Sequence, residues 1–181
     1  MRVITGTAKG RQLETLSGED VRPTTDRIKE AVFSIVQFQI QGRSFLDLFA
    51  GSGQMGIEAL SRGAESATFV DNRRQSVEIV KKNLEKTNLS ANAKVFNMDS
   101  LSFLSMKKDS YDLVFLDPPY KTGLLQSALE SVTGVVKKSG IIICENPVDE
   151  QLPEQLSDFL LDRAYRYGKI KITTYKHRDF I

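Results

Sequence analysis

The chain has 181 residues, 40% of them hydrophobic and 27% charged, with a net charge of +2. That length fits one domain with room for a small appendage, and that composition excludes disordered and collagen-like classes. The single cysteine, Cys144, and single histidine, His177, exclude an internal disulfide and a Cys/His zinc centre, so no metal is expected; they read as a core thiol and a surface imidazole.

The opening MRVITGTAKGRQ lacks the apolar stretch of a signal peptide, and no run approaches the roughly 18 apolar residues of a membrane span, so a cytoplasmic protein without membrane contact is expected. RVITGTAKGRQLETL reads as a small β-hairpin with glycines at 6 and 10, and residues 1–20 as an extension of a domain spanning 21–181. RPTTDRIKEAVFSIVQF is predicted to be a helix capped by Thr24 or Thr25, with Ile28, Ala31, Val32, Ile35 and Val36 on one stripe. From residue 44 strands alternate with helices. SFLDLFA, SATFVD, AKVFNMD, YDLVFLD and GIIICEN are predicted strands; QMGIEALSRGA, RQSVEIVKKNLEKTNL, SLSFLSM and LLQSALESVTGVV are predicted helices. Five near-continuous apolar strands separated by helices imply a doubly wound parallel sheet with right-handed crossovers. PEQLSDFLLDRAYRYGKIKITTYK then breaks the rhythm: a helix, a strand, a turn at Gly168 and a last strand, the two strands forming an antiparallel hairpin at the sheet edge.

Strand one runs into Phe49, Ala50, Gly51, Ser52 and Gly53, and Gly51, Gly53 and Gly56 satisfy G-x-G-x-x-G. Glycines let backbone amides approach a ligand, and the helix N-terminus that follows favours an anionic group. Asp71, followed by Asn72 at the end of strand two, is placed to hold both hydroxyls of a ribose. An NAD site meets these demands as well. Two further acids decide between them, the first being Asp47: a carboxylate suits the ammonium group of S-adenosylmethionine and is unfavourable beside a pyrophosphate. Asp99, followed by Ser100, ends strand three where an adenine amino group would be met.

Asp117, Pro118, Pro119 and Tyr120 follow strand four. The prolines remove two backbone donors and fix φ, so a carboxylate and a rigid carbonyl present acceptors with no donor between them, a match for an NH2 group. Tyr120 adds a face on which an unpaired base can stack. An exocyclic amine is a poor nucleophile because its lone pair is delocalised into the ring. Two acceptors that draw its hydrogens out of plane direct the lone pair toward a sulfonium methyl.

Charge is unevenly spread. Residues 1–13 carry Arg2, Lys9 and Arg11, and residues 163–178 carry Arg163, Arg166, Lys169, Lys171, Lys176 and Arg178, with no acid in either stretch. If these ends share a face they form a phosphate-binding surface.

Asp47 to Gly53, Asp71, Asp99 and Asp117 to Tyr120 resemble class I S-adenosylmethionine-dependent methyltransferases that act on amines. RVITGTAKGRQL, RPTTDRIKEAVFSIV, DLFAGSGQMGIEALSRGA, FVDN and LVFLDPPY together resemble the RsmD family over nearly the whole chain. Gln54 and Met55 depart mildly from the family pattern. The resemblance implies a Rossmann-like, mostly parallel seven-stranded sheet and transfer from S-adenosylmethionine to the N2 amine of a guanine in 16S ribosomal RNA. It also implies a monomer acting on an assembled or partly assembled small subunit, and an N-terminal hairpin and helix that help recognise RNA and cover the cofactor, with Arg22, Thr24 and Thr25 near its methionine end. DNA adenine-N6 methylation, protein glutamine methylation, a silent RNA-binding module and an NAD enzyme are the competing readings.

Overall fold

The computed structural model describes residues 1–16, 25–106 and 109–181. Five parallel strands form the core of the sheet: β1 (Ser44–Asp47), β2 (Ser66–Asp71), β3 (Ala93–Asn97), β4 (Tyr111–Leu116) and β5 (Val136–Pro147). Three antiparallel strands extend it, β6 (Gln155–Leu156), β7 (Phe159–Tyr167) and β8 (Ile170–His177), in the order β3-β2-β1-β4-β5-β8-β7-β6. The alternation of apolar runs and amphipathic segments produces this architecture because each parallel connection needs a crossover, and each crossover helix covers one face.

Helices α1 (Asp26–Ile35), α2 (Gln54–Ser61) and α3 (Arg74–Thr87) cover one face, α4 (Ser100–Ser105) and α5 (Leu124–Val132) the other. On α3, Val77, Val80 and Leu84 are buried as the 3.6-residue period requires. Thr25 caps α1 by accepting from the Ile28 amide; Thr24 and Arg22 lie outside the described residues.

Three expectations are corrected. The sheet has eight strands, the eighth being β6, which pairs with Phe159 and Leu160 where a helix was predicted. Leu152, Leu156, Phe159 and Leu160 have helical spacing, but Ser157 takes φ 52 and folds the segment back as a tight turn. His177 is only 9% exposed, edge-on to Phe159 and Phe180, and is no surface imidazole.

The N-terminal segment is joined by one bridge, Arg2 to Gln12, and lies flat on α1, α2 and α3, with Val3, Ala8 and Leu13 in the core. Polar groups buried on the helices hold it. Glu58 accepts from the Ile4 amide at 2.8 Å, the Thr5 amide at 3.0 Å and the Arg62 guanidinium at 2.8 Å. Ser61 receives the Ala8 amide and donates to the Thr5 carbonyl, and the Lys29 ammonium, fully buried, donates to the Arg2 carbonyl. Such groups are tolerated inside because each has a partner.

Asp112, at the entry end of β4, is a purely structural acid. Burial raises its carboxyl, but Lys137, Ser44 and Arg43 outweigh burial and bring it down to about 2. Among the described residues no helix is long and apolar enough to cross a membrane, and no cluster of His, Cys, Asp or Glu is placed to hold a metal.

Candidate active site

Because β1 to β4 are parallel, their carboxyl ends lie along one edge of the sheet, and Asp47, Asp71, Asp99 and Asp117 all follow or end those strands. Open parallel sheets present their ligand crevice at this edge.

The loop from Phe49 to Gly53 is held from below. Ala50 donates to the Val70 carbonyl, Gly53 to the Ala50 carbonyl, and the Gly51 amide to Asp71 Oδ2 at 2.9 Å. The three glycines do different work. Gly51 has φ 54 and open space where a Cβ would stand, so its upper side is free for a ligand. Gly53, at φ 78, turns the chain into α2. A Cβ on Gly56 would sit 2.3 Å from the Phe69 ring, so glycine there lets α2 press onto β2.

Asp47 is 2% exposed, beneath the loop, and its Oδ2 accepts from the Gly56 amide at 3.0 Å. Burial pushes its carboxyl up to about 7, with the Gly56 hydrogen bond opposing and Asp71 adding to the rise. The folded chain therefore holds this proton more tightly than the unfolded chain. Ionising Asp47 costs stability, negligibly below its ordinary value of 3.8 and fully above about 7. Asp47→Asn keeps an acceptor for Gly56, so it should raise the melting temperature of ligand-free protein most at alkaline pH and progressively less toward acid. A gain that does not vary with pH would contradict this.

Asp71 is 9% exposed; besides Gly51 it accepts from the Arg73 amide at 2.9 Å, and Arg73 Nε stands 3.7 Å from the same oxygen. A carboxylate offers about four lone-pair positions, so two amides leave room for hydroxyl donors. Asn72 is exposed beside it. Asp99 caps α4 by accepting from the Ser102 amide at 2.9 Å, and Ser100 is buried behind it. Cys144 is fully buried, and burial raises its thiol far above the ordinary range, so it is inert.

Asp117 is half-buried, Pro118 buried, and Pro119 and Tyr120 exposed, the last by 37%. The Tyr120 hydroxyl donates to Glu145 Oε1 at 2.8 Å. Glu145, 4% exposed on β5, thus joins the candidate site although it escaped the sequence reading; its signal is an acid directly after the apolar run IIIC. Asn83 escaped too. Fully buried on α3, it donates to the Ser52 carbonyl at 2.9 Å and exchanges hydrogen bonds with the Glu14 backbone, tying the N-terminal segment to the glycine loop. Its signal is a polar residue on an apolar stripe. Met1 completes the link, its sulfur 3.5 Å from Ser52 Oγ.

The family described as Conserved hypothetical protein 95 matches residues 1–176. The chain belongs to this family, the RsmD family. It is similar to Ribosomal RNA small subunit methyltransferase D of Escherichia coli strain K12, 35% identical over 97% of this chain and 89% of that one. The protein of the same name from Haemophilus influenzae is 38% identical over 84% of this chain and 81% of its own length. Among solved structures, the Escherichia coli protein yhhF superposes with a TM-score of 0.87 at 34% identity, covering 98% of this chain and 97% of the other. RsmD-family membership thus extends from the N-terminal segment through β8.

Proposed function

We propose that the protein transfers a methyl group from S-adenosylmethionine to the exocyclic N2 amine of a guanine in 16S ribosomal RNA. It acts as a cytoplasmic monomer on an assembled or partly assembled small subunit. One observation carries the reading: Asp117, followed by two prolines, lies past the carboxyl end of β4 on the same sheet edge as a glycine loop backed by Asp47 and Asp71. The relatives' shared name, ribosomal RNA small subunit methyltransferase, supports the substrate class.

The loop suits the cofactor. Gly51 leaves open space above the backbone, and Gln54 Oε1, buried at the start of α2, has no hydrogen-bond partner among the described residues, as befits an acceptor that a ligand donor completes. Asp47 and the loop of residues 49–53 would hold the methionine end, Asp71 the ribose, and Asp99 with Ser100 the adenine. When bound, S-adenosylmethionine supplies an electrophilic methyl on a positively charged sulfonium.

The chain's own residues do the remainder. Glu145 fixes Tyr120 by its hydroxyl, so the ring is a stationary surface for a flipped-out guanine. The Asp117 carboxylate and the Pro118 carbonyl accept the two amine hydrogens and aim the nitrogen lone pair. Asp117 would take the proton that the methylated amine releases and pass it to water. Positioning and preorganised acceptors supply the acceleration, with no covalent enzyme adduct.

Purified protein given methyl-labelled cofactor and small subunits from cells lacking the gene should place label in the RNA. Label appearing only in duplex DNA or only in protein would contradict the reading.

A further inference from the structure

The nine cations of the two basic stretches do not gather on one patch. Lys9 lies at the tip of the N-terminal segment, whose Thr7 amide donates to the Ser61 carbonyl at the far end of α2 from the glycine loop. At the other end of the β7–β8 hairpin, Lys176 pairs with Asp162 at 2.9 Å and Arg178 with Asp158 at 3.0 Å, so those charges are neutralised. Lys171 is committed to the Glu150 carbonyl.

Arg2 pairs with Asp26 at 3.5 Å, and three other cations, Arg163, Arg166 and Lys169, belong to the β7–β8 hairpin. Pro147 at the carboxyl end of β5 pairs with Ile170, and the Val148 amide donates to the Lys169 carbonyl, so the β7–β8 turn stands at the same end of the sheet as Asp117. Arg166 and Lys169 flank that turn, Arg163 lies along β7, and all three are exposed without a carboxylate partner among the described residues. Strand β6 pairs only with Phe159 and Leu160, so among the described residues no strand pairs with the outer edge of β7 from residue 162 to 167. Aromatic rings alternate with the cations along this edge strand, Arg163, Tyr165 and Tyr167 on one face and Arg166 on the other. Tyr165 is in register with Ile172, and Ile172 with Glu145, so these three side chains share one sheet face in a single row. Two inter-strand spacings put Tyr165 about 10 Å from Glu145, the residue that holds Tyr120. Tyr165 and Tyr167 are both half-buried on that face.

We propose that this edge, Arg163, Tyr165, Arg166 and Lys169, binds the single-stranded nucleotides flanking the target guanine. The cations meet phosphates and the Tyr165 ring stacks on a neighbouring base. Uncovered cations interleaved with aromatic rings along an open edge are what a single strand requires, since its phosphates repeat and every base has a face to stack. The proposal rests on the RNA reading above and adds to it the track by which the strand leaves the site.

The test compares Arg163→Ala/Arg166→Ala/Lys169→Ala with a control of equal charge loss on α3, Lys81→Ala/Lys82→Ala/Lys86→Ala, on small subunits from cells lacking the gene. The edge variant should raise KM for the subunit about tenfold or more and flatten the salt dependence of KM by about 2 in log–log slope, at roughly 0.7 per phosphate contact. Cofactor dissociation constant and kcat should stay at wild-type values, which also shows that the variant is folded, and the control should match wild type throughout. Tyr165→Ala should raise KM about tenfold and Tyr165→Phe should restore it, because stacking needs the ring and not the hydroxyl. Equal KM in edge variant and control, with wild-type turnover intact, overturns the proposal while leaving the methyltransferase reading standing. Absence of RNA methylation by wild type that still binds cofactor overturns both.

Discussion

Replacing Asp117 with alanine should lower kcat for methyl transfer roughly thousandfold while the cofactor dissociation constant changes by less than about twofold. The split follows from where the acid sits. Asp117 lies beyond β4, half-buried, whereas the loop that would carry the cofactor is supported from β1 and β2 through Asp47 and Asp71. Removing Asp117 deletes one of two acceptors for the amine and the proton's destination, yet it leaves the Gly51–Asp71 and Gly56–Asp47 bonds as they are. Asp117→Asn should fall between, since its amide oxygen still accepts but its NH2 repels an amino donor. Asp71→Ala should show the opposite pattern, weak cofactor binding with kcat retained at saturation. A kcat for Asp117→Ala within threefold of wild type would remove the acceptor mechanism.

Glu58→Ala should destabilise the fold by about 3–5 kcal/mol, the usual cost of deleting one partner of a buried ion pair. Glu58 is fully buried and satisfies two backbone amides of the N-terminal segment as well as Arg62, which in turn lies 4.7 Å over the Phe33 ring. It also bears on Lys29, whose pKa burial pushes down against the opposing charges of Glu58 and Asp26. Without Glu58, two amides and a guanidinium lose their acceptor at once, and Lys29 loses its main electrostatic support. Residues 1–16 should then detach, and with them the Met1 contact to Ser52 and the Asn83 bridge to the glycine loop. Urea unfolding and hydrogen exchange of the Ile4, Thr5 and Ala8 amides measure both effects. A loss under about 1 kcal/mol with those amides still protected would show that the segment is held by its apolar residues alone.

Much of this was legible in the chain because two signals agreed. Apolar runs of strand length gave β1 to β5, and four acids at four successive run ends gave the edge on which the site lies. The end of β4 at the tetrapeptide is legible because proline donates no backbone hydrogen bond and so stops a strand. What stayed hidden depends on partners distant in sequence. Glu58, Asn83 and Lys29 stand on apolar helix faces, where a polar residue has no meaning until the backbone it bonds, more than 25 positions away, is in place. Glu145 is hidden for the same reason, since its hydrogen-bond partner Tyr120 lies 25 positions away, beyond α5. The β6 turn was misread because leucine spacing favoured a helix and the left-handed Ser157 carries no glycine or asparagine to announce it. Similarly, His177 is polar by type, yet Phe159 and Phe180 enclose its ring.

The central claim is that Asp117 and its prolines serve a guanine amine in 16S RNA, and mass mapping of methylated nucleosides in that RNA tests it most directly. Cells lacking the gene should lose one N2-methylguanosine, regain it when the wild-type chain is supplied, and fail to regain it with Asp117→Ala. An unchanged N2-methylguanosine content in those cells, or its restoration by Asp117→Ala, would contradict the account.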